Sequence, residues 1–418
     1  MTIASSGDGD QHENRIAALS TEVLAVGRRS WGASWSPTRR AVAPGRIELL
    51  GNHLDYNGGK VLAAAIDRYI LLLGESSVEA TRIDVAYADP MSGSHFDDAL
   101  DIASFDGWQR ESPPESPTDY VRGAIAALVN AGMAIESSRI AFGGNLPVGL
   151  GVSSSAALSV GLVLMLAGES LTPKETILLA QAAENRAGVG SGTMDQAASV
   201  AGGVIRYDAA AISFERLDPD LGDLAFVVIS SGVVHRLGES AYPTRVREMA
   251  ELQAIVRREL GAAAPDHVAG VTGAQVEGLT QSGQIDATLQ MRAAHVVTEV
   301  ERVDQGYDAL NAGDWVRFGE LMTASGRSSA TAYDISHPQV EELVADVIRS
   351  DGILGARMMG GGGGGSVLAL VRQSEVQALS VRLDVGYFAR HELGGLPDRV
   401  LVCTFSDGAR LESMREPT

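Results

Sequence analysis

Cysteine is nearly absent from this sequence, since Cys403 is the only one among 418 residues. A single thiol forms no internal disulfide, and one thiolate is too few for a thiolate metal cluster. We therefore expect a cytoplasmic protein whose stability comes from packing rather than from cross-links.

Long apolar runs are absent as well. The longest, AALSVGLVLMLAG at 156–168, contains a serine and falls short of the roughly 20 residues that a membrane-spanning helix needs. The N-terminus, MTIASSGDGDQHENR, lacks the basic and apolar regions of a signal peptide. The sequence therefore predicts neither a membrane anchor nor a secretion signal.

Basic residues are scarce: 33 lysines and arginines stand against 53 acidic residues, which gives a formal net charge of −20. An acidic surface repels phosphate backbones and anionic lipid, so we expect no nucleic acid and no membrane as partners. A small anionic ligand remains compatible if the fold builds a local positive site. We expect a monomer or weak homo-oligomer that acts on a small molecule.

Apolar residues are plentiful, at 45%, and the length suits two or three domains with substantial cores. Strand-like runs alternate with helical periodicity, which predicts an α+β fold with a domain junction near 208–222. The predicted strands are 81–88, 138–143, 203–207, 224–230 and 400–405, and the predicted helices are 14–29, 118–132, 240–259, 286–312, 314–328 and 338–349.

The segment PVGLGVSSSAALS (147–159) places glycines and serines in front of a strongly apolar helix. Gly149 and Gly151 leave backbone N–H groups accessible, and a helix N-terminus with such groups and hydroxyls binds anions such as nucleotide phosphates. Serine hydroxyls there can also contact Mg²⁺. The loop does not end in Gly-Lys-Ser/Thr, so it is not a Walker loop. The alternative is a loop that only caps its helix.

The segment APGRIELLGNHLDYNGG (43–59) gathers polar side chains in a turn between two apolar runs. Arg46, His53, Asp55 and Tyr56 supply a cation, an imidazole, a carboxylate and a hydroxyl. Such a set suits recognition of a polyol, whose hydroxyls both donate and accept hydrogen bonds. A solvated hairpin turn is the alternative.

The segment ENRAGVGSGTMDQAAS (184–199) sets Asp195 behind a glycine-rich turn and before small helix-forming residues. A carboxylate that faces a cavity there could act as a general base on a hydroxyl. Taken alone, Asp195 fits a helix cap better than a catalyst.

Six consecutive glycines, Gly360 to Gly365, occur in MMGGGGGGSV. Apolar, strand-like runs frame them closely, whereas a flexible linker mixes in polar residues and lies between domains. The pattern therefore predicts a loop that joins two strands and brings its backbone close to something.

Together, and in this order, these motifs resemble the GHMP family of small-molecule kinases, and most closely its galactokinase branch. The matching motifs are PGRIELLGNHLDYNGG, LPVGLGVSSSAAL, GTMDQ and GARMMGGGGGGSV, with weaker matches in SAYPTRVRE and RAAHVVTEVERV. The resemblance spans about residues 40–410, which is most of the chain.

The resemblance implies an α+β, two-domain GHMP kinase fold with the active site in the cleft between the domains. A polar tail and helix at 1–35 would precede an N-terminal, ribosomal-S5-domain-2-like α/β domain at 36–215. A C-terminal, ferredoxin-like α+β domain would cover 216–418.

The resemblance also implies ATP and Mg²⁺ as cofactors. The residues that it assigns to ATP are Gly149, Gly151, Ser153, Ser154, Ser155, Tyr120, Gly361 and Gly362. Ser154 or Ser155, together with Glu184, would hold Mg²⁺, a cation that prefers hard oxygen ligands and keeps several waters. A tryptophan that lines the family's adenine pocket is Pro117 here, which leaves nucleotide preference open.

The catalytic pair implied by the resemblance is Asp195 and Arg46. Asp195 would take the proton from the anomeric C1 hydroxyl of a sugar, and Arg46 would stabilise the developing charge and keep Asp195 ionised. Phosphoryl transfer needs chiefly in-line positioning and charge neutralisation, so a short list of residues suffices.

The sugar contacts implied by the resemblance are Asn52, His53, Asp55 and Tyr242. The family signature has glutamate and threonine where GNHLDY has Asn52 and Leu54. By analogy that glutamate faces the sugar's C6 side, and asparagine there tolerates either a hydroxyl or a carboxylate. Galactose is therefore the expected acceptor, with galacturonate, a galactosamine or L-arabinose as alternatives.

Two other functions compete with a sugar 1-kinase. One is a non-catalytic sugar-sensing regulator, which is disfavoured because Arg46, Asp195 and SSSAA are all retained. The other is a GHMP kinase for mevalonate or homoserine, which is disfavoured because DYNGG and GTMDQ belong to the sugar branch.

Overall fold

The computed structural model describes residues 8–77, 81–88, 93–147, 149–168, 171–233, 241–396 and 398–414. The strands are β1 (Arg39–Leu50), β2 (Lys60–Ser76), β3 (Arg82–Ala88), β4 (His95–Asp101), β5 (Ser138–Gly144), β6 (Val204–Asp208), β7 (Ser213–Leu217), β8 (Leu224–Ser230), β9 (Ile353–Met359), β10 (Ser366–Arg372), β11 (Val400–Cys403) and β12 (Arg410–Ser413). The helices are α1 (Asp8–Trp31), α2 (Pro117–Asn130), α3 (Ser154–Ala167), α4 (Pro173–Arg186), α5 (Met194–Ala201), α6 (Tyr242–Leu260), α7 (Gly273–Gln281), α8 (Ala287–Ala312), α9 (Trp315–Thr331), α10 (Pro338–Ile348), α11 (Val376–Val385) and α12 (Tyr387–Arg390).

The first sheet has eight strands, in the order β12-β1-β2-β5-β3-β4, with β6 paired to β2 and β7 paired to β6. Only the β3–β5 pair is parallel among the described strand pairs of this sheet. Helix α1 covers one face, where Ile16, Leu19 and Val23 are buried. Helices α2 to α5 cover the other face, and α3 is so apolar that most of its side chains are buried.

The second sheet has four antiparallel strands, in the order β11-β8-β10-β9. Helices α9 and α10 pack on β9, and α8 reaches back to β1 and β2 of the first sheet. One continuous cluster of buried apolar side chains runs from β1 and β2 into the second sheet. The fold is therefore the expected α+β arrangement of two domains around a cleft.

Local signals explain where several helices begin and end. Thr172 and Glu175 form a capping box at the start of α4, and the Asp286 carboxylate accepts from the Leu289 N–H at the start of α8. Helix α8 ends at Gly313, whose φ of 67° is readily adopted only by glycine. These signals explain why helices at 286–312 and 314–328 could be predicted within a few residues.

The expected domain boundaries require correction at two places. The boundary at 215/216 falls inside β7, which pairs with β6 of the first sheet. The segment 216–418 is also not confined to one domain, because β12 pairs with β1 in the register Arg39↔Ser413. That pairing joins the two ends of the chain, and short strands carry no local mark of so distant a partner.

The elements that escaped the sequence prediction include β4, β7, α7 and β12. Strand β4, HFDDALD, is acidic and exposed along most of its length, because it lies at the edge of its sheet. Edge strands of this kind lack the apolar alternation from which strands are predicted.

Among the described helices, none combines the length and apolar character needed to cross a bilayer.

Helix α9 lies unusually close to β9 because glycines meet at their contact. A Cβ on Gly355 would lie 2.1 Å from the carbonyl oxygen of Gly319, and a Cβ on Gly319 would lie 2.4 Å from that of Leu354. Two turns further along α9, a Cβ on Gly326 would lie 2.6 Å from the Cβ of Arg357. This backbone contact fixes the depth of β9, which leads directly into the six glycines.

We expect Gly355→Ala to lower the free energy of unfolding by about 3 kcal/mol, the upper end of the range for overpacking, because backbone atoms cannot move aside. Urea unfolding measures this difference. The matched control is Gly278→Ala in the middle of α7, where nothing lies within 4 Å of the added methyl group. That change should stabilise the protein by up to about 1 kcal/mol. Equal midpoints for Gly355→Ala and the unchanged protein would contradict the predicted contact.

Candidate active site

A cavity of about 320 Å³ lies between the two sheets. Its wall is made by the end of β1 and the turn that follows, the glycine–serine loop before α3, the turn before α5, the start of α6 and the polyglycine loop (360–365). The lining side chains include Arg46, Glu48, Asn52, His53, Asp55, Tyr120, Ser153, Ser154, Ser155, Asp195 and Tyr242. The four main motifs and the start of α6 therefore meet at one place, whereas RAAHVVTEVERV contributes no residue to the wall of this cavity.

Arg46 and Asp195 form a bidentate ion pair in the wall of this cavity. Arg46 Nε donates to Asp195 Oδ1 at 2.7 Å, and Nη2 donates to Oδ2 at 2.7 Å. The third nitrogen, Nη1, donates to the carbonyl of Gly151 at 2.6 Å. Arg46 is buried, while the Asp195 side chain keeps 26% exposure. The guanidinium thus orients the carboxylate and leaves it open to the cavity.

The glycine–serine loop turns sharply before α3. Gly149 and Gly151 have φ values of 83° and 68°, and Ser153 adopts the same left-handed region at 57°. Such a conformation is uncommon for serine and directs its hydroxyl to Asp195, to which it donates. The N–H groups of the first turn of α3 have no intrahelical partners, so they favour an anion at this point.

Glu184 is buried behind the loop. Burial raises the pKa of Glu184 to about 7, a hydrogen bond from Ser155 opposes the shift, and the nearby charge of Asp195 adds to it. Gln196 also donates to this carboxylate, and Ser191 donates at 3.3 Å. The carboxylate and the Ser155 hydroxyl place two hard oxygen atoms side by side.

A second cavity, of about 300 Å³, adjoins the first through Tyr120, Ser154 and Ser155, which line both. Its remaining wall is largely apolar and includes Ile70, Tyr87, Ala88, Pro114, Pro117, Phe142, Leu146 and Leu158. The rings of Tyr87 and Phe142 stack with centroids 5.0 Å apart. Apolar walls with a few polar groups at one end suit a planar base attached to an anionic chain.

Asp55 stands at the other end of the first cavity, pressed against a glycine. A Cβ on Gly192 would lie 2.0 Å from Asp55 Oδ2, so residue 192 must lack a side chain for this carboxylate to keep its place. Burial raises the pKa of Asp55 to about 7, the N–H of Tyr56 opposes the shift, and the charges of Asp195 and Glu48 add to it. A buried carboxyl group whose pKa is raised in this way is typical of a ligand-binding position.

His53 combines backbone strain with an unpaired nitrogen. Its φ is 62°, which is uncommon for a residue other than glycine. Nδ1 lies 2.8 Å from the Tyr56 hydroxyl, whereas Nε2 is buried without a hydrogen-bond partner among the described residues. Burial, with the nearby His295, lowers the pKa of His53 to about 3, so the ring is neutral. The Tyr242 ring lies 5.3 Å from it.

The polyglycine loop joins β9 to β10 and is held by several hydrogen bonds. The Gly363 N–H donates to Ile335 O at 2.7 Å, and the Gly365 N–H donates to Val233 O at 3.0 Å. Gly362 cannot carry a side chain, because a Cβ would lie 2.3 Å from Ile335 O. The run therefore forms a defined loop, and its left-handed φ values at 360, 362, 363 and 365 require glycine.

The Asn52 side chain is enclosed by protein contacts. It lines the cavity but is only 1% exposed, and both N–H groups of its amide are taken by protein acceptors. Its Oδ1 accepts from Ser329 at 2.8 Å. Both donors are engaged by the protein in this structure, and the assignment of the C6 substituent to Asn52 stays a prediction.

The structure brings the other predicted site residues to the walls of these two cavities, except Glu184, which is buried behind the glycine–serine loop. It also adds residues that sequence reasoning missed, namely Glu48, Ser191, Gly192 and Gln196. Glu48 and Gln196 look like ordinary strand and helix positions in the sequence, and only their contacts reveal them. Among the described residues no group of three or more His, Cys, Asp or Glu side chains is placed to hold a metal.

Comparisons with known proteins give a consistent picture. Three family models match: the galactokinase galactose-binding signature at 28–75, the GHMP kinases N-terminal domain at 119–203 and the GHMP kinases C-terminal domain at 307–386. The galactokinase of Chloroflexus aggregans is 33% identical over 382 residues, covering 89% of this chain and 93% of the relative. That of Thermotoga maritima is 31% identical over 355 residues, covering 83% and 93%.

Solved structures agree with these relatives. The galactokinase of Lactococcus lactis complexed with galactose superimposes with a TM-score of 0.81 and 28% identity, covering 94% of this chain and 99% of that one. A mevalonate kinase superimposes with a TM-score of 0.59 at 16% identity, covering 88% and 98%, which shows the shared fold alone.

We expect Asp55→Asn to flatten the pH dependence of stability between about pH 4 and 7. The folded protein holds a proton on Asp55 in that window and the unfolded chain does not. Stability therefore falls as pH rises, by up to about 1.4 kcal/mol per unit. Asparagine removes this contribution and should make the protein more stable at pH 8. Urea unfolding across pH 5–8 measures the slope, with exposed Asp106→Asn as control. An unchanged slope in Asp55→Asn would contradict the shifted pKa.

Proposed function

We propose, from the premise that this chain belongs to the GHMP kinases and within them to the galactokinase family, that it transfers a phosphoryl group from ATP to the C1 hydroxyl of galactose. The observation that carries the proposal is the Arg46–Asp195 pair, which faces the cavity beside the glycine–serine loop. A base, a cation and an anion site within one cavity are what phosphoryl transfer to a hydroxyl requires.

Asp195 acts as the general base on the sugar's C1 hydroxyl. Two hydrogen bonds from Arg46 and one from Ser153 hold its carboxylate in a single orientation, so little reorganisation is needed when the proton arrives. Arg46 also supplies positive charge beside the transferring phosphoryl group. The Asp195 side chain is about three-quarters buried but still faces the cavity, which suits a general base that must contact the sugar.

ATP spans the two adjoining cavities. Its base occupies the apolar chamber of Tyr87, Pro117 and Phe142, and its phosphates reach the hydroxyls of Ser154 and Ser155 at the junction. The first turn of α3 supplies N–H groups to the phosphates. The polyglycine loop covers them from the opposite domain, where the absence of side chains lets its backbone approach closely.

Mg²⁺ fits the oxygen atoms beside Ser155. The carboxylate of Glu184 and the hydroxyls of Ser154 and Ser155 would hold it. So few protein ligands are normal for a magnesium ion that also binds phosphates and waters. When bound, the ion would neutralise charge on the phosphate oxygens.

The sugar occupies the end of the cavity formed by Asp55, His53 and Tyr242. In its ionised form, Asp55 accepts through both carboxylate oxygens from neighbouring ring hydroxyls. Neutral His53 offers its unpaired Nε2 to another hydroxyl. The Tyr242 ring packs against His53 and gives the sugar an aromatic face.

The direct test is a coupled ADP assay with ATP and Mg²⁺ across galactose, galacturonate, galactosamine, L-arabinose and glucose. We expect galactose to give the highest kcat/KM and phosphorus NMR to place the phosphate on C1. Turnover confined to galacturonate would move the assignment to an acidic sugar. No ADP from any of these sugars would refute the kinase activity and favour a non-catalytic sugar sensor.

Asp195→Asn should lower kcat about 10²- to 10⁴-fold, the usual contribution of a positioned base, because asparagine keeps the shape and loses the proton acceptor. The KM for galactose should change far less than kcat, since the contacts of Asp55, His53 and Tyr242 remain. Initial-rate kinetics measure both, and a melting curve checks that the variant is folded. A kcat within threefold of the unchanged enzyme would remove Asp195 from the role of base.

A further inference from the structure

Asn52 joins the two domains at the point where the polyglycine loop begins. Its Nδ2 donates to Glu48 Oε1 at 3.1 Å and to the Gly360 carbonyl at 3.0 Å. Gly360 is the first residue of the loop, and Asn52 lies in the turn after β1. The bond to Gly360 therefore connects the first domain to the loop across the cleft.

The orientation of the Asn52 amide follows from its neighbours. The Gly360 carbonyl can only accept, and Glu48 is an acceptor because it is paired with Arg357, whose Nη2 donates to Glu48 Oε1 at 2.7 Å. The nitrogen must therefore face these two oxygens. On the other side, Oδ1 accepts from Ser329, so the whole side chain is engaged.

Charge also favours a neutral residue at position 52. The fully buried Arg357 guanidinium balances the single carboxylate of Glu48, and its other nitrogens donate to the carbonyls of Leu49 and Met358. A second carboxylate at position 52 would face Glu48 and the Gly360 carbonyl with no cation to spare. In a buried place such a contact is repulsive and leaves a charge unpaired.

Other hydrogen bonds to the loop come from the second domain. Ile335 and Val233 offer carbonyls to the Gly363 and Gly365 N–H groups, and Ser231 donates to the Gly365 carbonyl. These bonds hold the middle and the end of the loop. Its beginning, at Gly360, is tied to the first domain by Asn52.

We propose that Asn52 is a positioning residue that ties the start of the polyglycine loop to the first domain, and that it thereby governs the use of ATP rather than recognition of the sugar's C6 substituent. The identity of the loop's ligand rests on the proposed function. The attachment of the loop itself does not.

The main test is Asn52→Asp, which keeps the size of the side chain and removes both donors. Hydrogen exchange of the ligand-free protein, followed by mass spectrometry, should show amides at 360–365 exchanging at least tenfold faster. In the kinase assay the KM for ATP should rise at least tenfold, while the KM for galactose stays within threefold. An unchanged exchange rate in the loop would overturn the attachment.

Two further variants separate positioning from simple stability. Ser329→Ala removes the bond to Oδ1 and leaves both donors in place, so loop exchange and the KM for ATP should stay within twofold of the unchanged protein. The double change Asn52→Asp with Glu48→Gln leaves a single carboxylate near Arg357, as in the unchanged protein. It does not restore the hydrogen-bond donor to the Gly360 carbonyl. It should recover the melting temperature yet keep fast loop exchange and a raised KM for ATP, and it replaces the single variant if that fails to fold.

Besides unchanged loop exchange in Asn52→Asp, three results would overturn the proposal. Recovery of the KM for ATP in the double variant would make charge balance the only role of Asn52. A large change for Ser329→Ala would make general packing the cause. A raised KM for galactose without a change for ATP, together with a changed preference between galactose and 6-deoxygalactose, would make Asn52 a sugar contact.

Failure of the proposed function is recognised separately, because the unchanged protein would then form no ADP while the exchange experiment still decides the attachment.

Discussion

The active-site cleft depends on a buried carboxylate that binds one domain to the other. Glu299 of α8 is fully buried and accepts from the N–H groups of Gly51 and Asn52 at 2.9 and 3.2 Å, and from Ser325 at 2.6 Å. Burial alone would raise the pKa of Glu299, but His295, Arg302 and Arg357 together lower it to about 2. The ionised group therefore fixes the turn after β1, and with it the residues that face the cavity.

Two other buried carboxyl groups have raised rather than lowered pKa values, and this contrast distinguishes a structural carboxylate from carboxyl groups placed to bind a ligand. Asp55 and Glu184 have pKa values raised to about 7, because burial is not balanced by enough donors or cations. Glu299 is satisfied by the protein itself, whereas Asp55 and Glu184 have capacity left for a ligand. Carboxylates kept in this state reduce stability near neutral pH, and binding sites are where such groups are retained.

Glycine matters here for contact rather than for flexibility. Gly192 leaves room for the Asp55 carboxylate, and Gly355 lets α9 approach β9. The polyglycine loop combines left-handed backbone with close contact to Ile335, and its hydrogen bonds show that it has one defined course. A run that looks like a linker in composition is therefore part of the wall of the site.

The sequence alone determined the local features: the apolar helix behind SSSAA, the caps of α4 and α8, the order of the motifs and the types of residue that carry the chemistry. These depend on neighbours a few positions away, which is why periodicity and turn residues reveal them. Only the tertiary structure decided which groups meet. Arg46 and Asp195 are 149 positions apart, and Asn52 and Gly360 are 308 apart. The pairing of β12 with β1 and the contact of Asp55 with Gly192 also join residues that are far apart in the chain, and no local sequence pattern reveals either contact. Whether Asn52 faces a ligand or the protein depends on which acceptors surround its amide, and folding alone supplies those acceptors.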